Sequence, residues 1–456
     1  MLSVCGAKLI VQQATPPIHN IVELWDANKV SEVALLFAEA HPADIADALE
    51  QLTPNQRPKA WAHIPAHAKG EVLSELSEGV FVDLAQELDK QELIDAIKVL
   101  DIDEIADLIP DLPEALLADV LFAVDNETRA SLGEVLSYPE DSAGGLMDLD
   151  TITVRDNVSL DVVLHYLRLK NQLPENTDTI YLVDRNQRLT GILPIERLLT
   201  QAGTDPAIKH AVESPVSFLC LDNEHDVAKA FADYDLISAP VVDEQQTLIG
   251  RITIDDVVDV IREQAEHDIM AAAGLKEEED IFAPVAKTTR NRTVWLAVNL
   301  LTALLGSWVI GQFEGSIQKL VALAVLMPIV ASMGGNAGTQ TLTVVIRGMS
   351  LGTIAHGNML NVLKKEAMVG VLNGLIWAFV IAVVAALWYQ DVSLGAVIAA
   401  AMIANLVMGA IAGVCIPIFL DKMNIDPALA GGVALTTVTD VVGYFSVLGL
   451  ATLILI

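Results

Sequence analysis

The chain has 456 residues, enough for two or three domains, and its net charge of −33 is very unevenly distributed. The residues before Lys287 carry a charge of −35, whereas the segment from Lys287 to the end carries +2. An acidic front of this size repels phosphate and excludes nucleic acid as a partner. Metal cations or simple solvation are the alternatives that fit it.

Residues 1–136 are predicted to form an acidic helical N domain. Short amphipathic patterns recur between residues 21 and 136, and the pattern at 43–49 returns at 103–109. Prolines between these patterns suit the starts and ends of helices. The prediction is a superhelix of repeated helix pairs.

The next part of the chain contains an internal repeat. Segment 181–192 aligns with segment 240–251, and both contain Val-Asp followed by Leu-x-Gly. Each copy predicts a strand, a polar turn, a second strand and a helix. Two β-α-β-β-α units are therefore expected, at 137–202 and 203–262. This tandem pair resembles CBS domains, which pack as intramolecular pairs and commonly serve as regulatory modules.

The second unit also carries a pattern through which many CBS pairs bind adenine nucleotides. The pattern is Gly-x-x-Thr/Ser-x-x-Asp, and its residues here are Gly250, Thr253 and Asp256, whereas the first unit has Pro194 and Arg197 at corresponding places. One interpretation is a single site for ATP as a regulatory ligand. The other is that Asp256 has a different role.

That different role is suggested by the helix that leaves the second unit. Asp256, Asp259, Glu263 and Glu266 follow one another at steps of three and four and fall near one helix face. Like charges at this spacing destabilise a helix by about 0.2–0.5 kcal/mol per pair. A divalent cation bound by carboxylate oxygens would compensate, and a solvated acidic helix is the alternative.

Five uncharged runs follow, and each can cross a hydrocarbon core of about 30 Å, which takes about 20 helical residues. The runs are 293–313, 320–346, 367–390, 392–420 and the residues after Asp426. Seven of the eight basic residues from Lys287 onward flank these runs on one face, which predicts that face to be cytoplasmic. The acidic front is then cytoplasmic and the C-terminus outside. The fold class expected is a multidomain α-helical membrane protein with a helical-repeat N domain, an α+β CBS pair and five transmembrane helices within 286–456.

Asp440 is the only charged residue in the last thirty positions. A carboxylate at bilayer depth costs about 2.5–3.5 kcal/mol on insertion scales. Such a residue normally faces a partner, a water-filled cavity or an ion path. Asp440 is therefore predicted to be a functional site that attracts cations.

The second predicted span is rich in glycine and amide side chains. Glycines at this depth would leave backbone carbonyls free to face an ion, and a tight helix crossing through small residues is the alternative. Asn336 and Gln340 favour a pore lining, whereas for Asn405 in the fourth span a satisfied interhelical amide is the alternative. The predicted pore residues are Gly334, Gly335, Asn336, Thr339, Gln340, Asn405 and Asp440.

With these residues the sequence resembles the MgtE family of magnesium channels over nearly its whole length. The matching segments are Pro328 with 334–340, 426–429, 439–441 and the junction 138–147. The resemblance implies a homodimer with the pore on its two-fold axis, cation binding at Asp440, and a plug helix at 255–285. It also implies that magnesium bound among cytosolic carboxylates holds the closed state. The positions implied for those carboxylates are Asp103, Asp107, Asp235, Asp256 and Asp259, and the helical spacing adds Glu263. Gln264 and His267 stand where the family can have acids.

The predicted function is a magnesium-selective channel of the cell (inner) membrane, multi-pass in the lipid bilayer and gated by intracellular Mg²⁺. Passive uptake is expected because the chain has no Gly-x-x-x-x-Gly-Lys-Ser/Thr motif for ATP hydrolysis. A channel for Co²⁺ or Mn²⁺ is an alternative, and a CBS-containing membrane-anchored sensor is another. An enzyme is not expected, because no nucleophile–base pair stands out.

Overall fold

The computed structural model describes residues 21–112, 114–170, 172–174, 176–275, 280–354, 357–423 and 425–456. The described chain separates into two compact units. The first unit holds the residues up to 265 together with 280–283, and the second holds 266–275 together with 284–456.

The first unit begins with the helical N domain that the sequence predicts. Its helices are α1 (Ile21–Asp26), α2 (Val30–Glu39), α3 (Pro42–Glu50), α4 (Arg57–Trp61), α5 (Lys69–Ser74), α6 (Glu78–Glu87), α7 (Lys90–Ile97), α8 (Ile102–Leu108), α9 (Glu114–Ala123) and α10 (Asn126–Val135). Local signals fix their starts: Pro42 opens α3, and Asp101 and Glu104 form a capping box at the start of α8. The buried apolar faces form one core that continues into the second β-containing domain.

Two β-α-β-β-α domains complete the first unit, as predicted from the repeat. The first contains β1 (Thr153–Arg155), α11 (Leu160–Leu169), β2 (Thr179–Val183), β3 (Leu189–Pro194) and α12 (Ile195–Thr200). The second contains β4 (Phe218–Leu219), α13 (Glu224–Tyr234), β5 (Ser238–Val242), β6 (Leu248–Thr253) and α14 (Ile254–Ala272). In each sheet the first two strands are parallel and the last two antiparallel.

Equivalent residues of the two repeats meet across the domain interface. The Thr179 and Ser238 hydroxyl oxygens, 59 positions apart, lie 3.2 Å from each other. The amide of Leu189 donates to Gln246 O, and the amide of Leu248 donates to Gln187 O. These reciprocal bonds place a local pseudo-two-fold axis between the repeats, which explains why the sequence repeats with a constant offset.

The second unit contains the membrane helices. They are α15 (Val285–Gly311), α16 (Glu314–Lys319), α17 (Ala322–Ser350), α18 (Met359–Tyr389), α19 (Val392–Lys422) and α20 (Pro427–Ile454). All except the short α16 are long and apolar enough to cross a membrane, which confirms the five predicted spans. The main apolar core of this unit lies between α17, α18, α19 and α20.

Candidate functional site

Glycines of α17 and α19 allow these two helices to cross in close contact. A Cβ added at Gly409 would lie 2.6 Å from Gly334 O, and one added at Gly413 would lie 2.7 Å from Gly338 O. Real Cβ atoms do not approach oxygen this closely, so only glycine permits the crossing. Because α17 is one continuous helix through these positions, its carbonyls are used within the helix rather than left free. The expectation of free carbonyls is therefore wrong for this segment, and the small-residue crossing accounts for Gly334.

Helix α20 packs antiparallel to α17. A Cβ at Gly335 would contact the Thr439 hydroxyl at 3.6 Å, and one at Gly443 would lie 3.1 Å from Ala331 Cα. The contacts move toward the start of α20 as they move toward the end of α17. This register brings Asn336 and Asp440 to similar depths in the membrane unit.

One face of α17 is polar and exposed in the single chain. The exposed polar residues are Ser332, Asn336, Thr339, Gln340 and Thr343. Their spacing of three and four residues places them on one side of the helix. The hydroxyls of Thr339 and Thr343 donate to carbonyls of their own helix. Within the part of the chain that the structure describes, no hydrogen-bonding or charged partner occurs for the side chains of Asn336 and Gln340.

Asp440 lies half-buried on α20 and has neither an ion-pair nor a hydrogen-bond partner among the described residues. Polar groups without partners are costly against lipid, so faces of this kind border water or another protein chain. No lysine or arginine of the described membrane helices forms an ion pair with Asp440. A structural ion pair therefore does not account for this carboxylate.

Asn405 occupies a different environment from the other pore candidates. Its side chain is fully buried, and Nδ2 donates to Val330 O of α17 at 2.8 Å. The structure therefore places Asn405 between helices, which is the interhelical-amide alternative, and not on the exposed polar face. The sequence could not choose between these positions because both suit an asparagine in an apolar helix.

A second candidate site lies in the first unit, where carboxylates of α8 and α14 converge. We call it the acidic cluster and define it as Asp103, Asp107, Glu140, Asp148, Asp256 and Glu263. Burial, together with the charges of Asp103 and Asp256, raises the pKa of Asp107 to about 8. Burial and Asp255 raise the pKa of Asp256 to about 7. The residue Asp107 keeps solvent access, so its carboxyl lies at a protein-lined but open position.

Asp103 is the residue of the acidic cluster whose surroundings most favour a hydrated cation as a partner. Its Oδ1 is buried and has no hydrogen-bond partner, and burial together with the charge of Asp148 raises its pKa to about 6. The described residues contain no group of three or more His, Cys, Asp or Glu side chains arranged to hold a metal ion directly. Mg²⁺ commonly uses only one or two protein carboxylates and keeps several waters. The acidic cluster therefore fits a hydrated Mg²⁺ better than a fully protein-ligated ion.

The remaining predicted carboxylates lie elsewhere. Burial and the charge of Asp259 raise the pKa of Glu75, so these two residues form a neighbouring acidic pair. Asp235 is exposed at the end of α13, in a left-handed backbone conformation. Glu140 and Asp148 were missed by the sequence argument. Glu140 belongs to the quoted junction 138–147, and Asp148 has a buried Arg251 as its ion-pair partner at 2.8 Å.

The predicted nucleotide residues already have structural contacts. The backbone amide and the hydroxyl of Thr253 both donate to the Asp256 carboxylate, which caps the start of α14. A Cβ at Gly250 would lie 2.8 Å from Asp148 O, so glycine permits the chain to approach there. Asp256 therefore caps α14 and also belongs to the acidic cluster. Cation binding and nucleotide binding at Asp256 both stay predictions.

The end of α14 belongs to the second unit and contacts the membrane helices there. His267 Nε2 lies 3.2 Å from Asp426 Oδ2. Asp426 also caps α20, because its carboxylate accepts hydrogen bonds from the amides of Ala428 and Leu429. Gly274, with φ of +72°, ends the helix directly against the Trp295 indole. The predicted plug segment is thus attached to the beginning of the helix that carries Asp440.

Five membrane helices, a carboxylate with no partner among the described residues, and acidic domains before them are features of a cation transporter. Comparison with protein families agrees with this class. Residues 327–450 match the divalent cation transporter model of MgtE, residues 40–141 match the MgtE intracellular N domain, and residues 222–263 match the CBS domain.

Curated relatives cover nearly the whole chain. Magnesium transporter MgtE of Thermus thermophilus is 32% identical over 457 residues, covering 96% of this chain and 98% of the relative. Magnesium transporter MgtE of Bacillus subtilis is 27% identical over 437 residues, covering 95% and 96%. A crystal structure of the cytosolic domain of the Mg²⁺ channel MgtE in complex with ATP is 28% identical, covers 53% of this chain and 99% of its own, and has a TM-score of 0.49. The chain belongs to the MgtE family of magnesium transporters, and its N domain is cytosolic.

Proposed function

We propose that this chain forms, with a second copy of itself, a pore through which Mg²⁺ enters the cell passively. The observation that carries the proposal is the exposed polar face of α17, where Asn336 and Gln340 have no partner among the described residues, together with Asp440 at a similar depth on α20. A second chain packed against α17 would enclose a water-filled path along this face. The polar side chains would then face water and no longer be exposed to lipid.

Asp440 from two subunits would place two negative charges beside the path. Mg²⁺ gives up its water reluctantly, so the ion would pass largely hydrated, with Asp440 accepting hydrogen bonds from its water shell. Asn336 and Gln340 supply neutral oxygen atoms for the same shell. A membrane potential favours entry by about 2.3 kcal/mol per charge per 100 mV. With the acidic front in the cytoplasm and five membrane-spanning helices after it, the C-terminus lies outside the cell.

Rescue of magnesium-starved cells tests the pore assignment. We expect wild-type chain to restore growth, and Asp440→Asn to fail at equal membrane abundance. Asp391→Asn is a matched control, because Asp391 caps α19 and asparagine caps equally well. Rescue by Asp440→Asn would remove the pore assignment. Competition between Mg²⁺, Co²⁺ and Mn²⁺ in flux assays separates the selective channel from a general divalent one.

We further propose that the acidic cluster senses intracellular Mg²⁺. Two carboxylates about 6 Å apart repel by about 0.7 kcal/mol in water and about 2.8 kcal/mol at an effective dielectric of 20. A few such pairs reach the roughly 5.5 kcal/mol that moves an equilibrium from 1:99 to 99:1. At high Mg²⁺ the α8 and α14 carboxylates would be held together and the pore closed. At low Mg²⁺ their repulsion would separate the two helices and open it.

Limited proteolysis of the full-length protein tests the gating model. We expect millimolar Mg²⁺ to slow cleavage of the cytosolic region, and Asp103→Asn with Asp107→Asn to weaken that protection. Equal cleavage with and without Mg²⁺ would count against gating by this cluster. Monovalent salt at matched ionic strength is the control, because screening alone also reduces repulsion between exposed charges.

A further inference from the structure

Three membrane helices meet at the Asn405 side chain. Its Nδ2 donates to Val330 O of α17. A Cβ added at Gly334 of α17 would overlap the same amide, and a Cβ added at Gly443 of α20 would lie 2.9 Å from it. The amide of α19 therefore contacts both the helix that carries the polar face, α17, and the helix that carries Asp440, α20.

The position of this junction relates it to the ion path. Gly443 follows Asp440 by three residues on α20, which is just under one helical turn. Gly334 precedes Asn336 by two residues on α17. A side chain of different size at position 405 would shift α17 and α20 relative to each other. The distance between the Asp440 carboxylate and the Asn336 amide would then change.

Packing stability alone does not account for an asparagine here. Asn405 Oδ1 is buried and has no hydrogen-bond partner within the described chain, and a buried acceptor without a donor is unfavourable. Leucine has a similar shape and would avoid that cost. Leucine would, however, lose the hydrogen bond from Asn405 Nδ2 to Val330 O, which joins α19 to α17.

We infer that Asn405 is a positioning residue for ion conduction, which fixes the separation of α17 and α20 and thereby the preference of the pore for fully hydrated Mg²⁺. This inference rests on the proposed function of the membrane unit. It assigns Asn405 no contact with the ion. Ions that lose water more readily than Mg²⁺ would gain relative to it when the spacing changes.

The test is flux of Mg²⁺ and Co²⁺ into vesicles that contain the full-length protein. For Asn405→Leu we expect the Co²⁺ to Mg²⁺ flux ratio to rise by about three- to twentyfold, the range spanned by single interhelical hydrogen bonds. Asn299→Leu is the matched control, because among the described residues the Asn299 side-chain amide donates only to Trp295 O of its own helix. If Asn405→Leu kept the wild-type Co²⁺ to Mg²⁺ flux ratio and the wild-type dependence of flux on ion concentration, the inference would be overturned.

A compensating pair keeps the test decisive if Asn405→Leu does not fold. Gly334→Ala should reduce flux because its Cβ overlaps the Asn405 amide. Adding Asn405→Ala should restore part of that flux, with an altered ion ratio. No restoration would overturn the inference, whereas absence of Mg²⁺ flux in the wild type would instead overturn the proposed function.

Discussion

Replacing Asp103 with asparagine should stabilise α8 when Mg²⁺ is absent. Burial and the charge of Asp148 raise the pKa of Asp103 from 3.8 to about 6. A rise of about two units corresponds to about 3 kcal/mol against the ionised form, at about 1.4 kcal/mol per unit. Because the group is partly accessible and the new amide is itself buried, we expect a net gain of about 1–2 kcal/mol in Asp103→Asn at pH 7.5.

The sign of the pH dependence follows from the direction of the shift. A carboxyl whose folded-state pKa is raised binds its proton more tightly in the folded state than in the unfolded state. Its penalty is absent below the unfolded value of 3.8, grows as pH rises, and is complete above about 6. The advantage of Asp103→Asn should therefore be present at pH 7.5 and largely lost at pH 4.5.

Hydrogen exchange of the full-length protein measures this effect locally, in the peptide that spans α8. In the absence of Mg²⁺ at pH 7.5, α8 should exchange more slowly in Asp103→Asn than in the wild type. Adding Mg²⁺ should protect the wild type more than the variant. Asp233→Asn, at an exposed position of α13, is the control. Faster exchange in Asp103→Asn at pH 7.5, or a difference that persists unchanged at pH 4.5, would refute the reasoning.

Two further variants test the packing. Asp280→Asn should destabilise the first unit by about 3–5 kcal/mol, because it leaves the buried Arg57 guanidinium without a charged partner. Thermal unfolding measures this loss. Asp95→Asn is the control and should show no comparable loss, because the ion pair of Asp95 with Lys98 is exposed. Gly409→Ala should lower the yield of folded membrane protein, since its Cβ would lie 2.6 Å from the backbone oxygen Gly334 O. Gly311→Ala, where nothing lies within 4 Å, should behave as wild type in size-exclusion chromatography, and equal yields of both variants would contradict the close crossing.

Local patterns in the chain were sufficient to predict the element types and the domain order. Hydropathy depends on the residue types within a segment, so the five spans could be predicted without knowledge of their neighbours. The repeat was predictable for a related reason, since equivalent residues of β2 and β5 occupy equivalent positions about the pseudo-two-fold axis. Asp440 was identifiable because a charge in an apolar helix is unusual in any arrangement of helices.

The candidate sites depend on contacts that no local pattern encodes. Asp107 and Asp256 lie far apart in the sequence. The packing of α8 near α14 buries both carboxyl groups, which raises their pKa values, and brings the charge of Asp256 close to Asp107. Residue type alone likewise could not show that Asn336 and Asn405 lie in different environments. The first faces outward on α17, whereas the second is enclosed by neighbouring helices and bonded to Val330.

The sequence by itself determined which segments cross the membrane, which form the pair of β-α-β-β-α domains, and which acid has no nearby base along the chain. These properties follow from the solvation preferences of side chains over a few helical turns. Only the tertiary structure decided which glycines allow helices to cross, which amide lies between them, and which carboxylates share one electrostatic environment. Close contact and charge coupling depend on distances of a few ångströms between residues that are distant in the chain, and folding alone sets those distances.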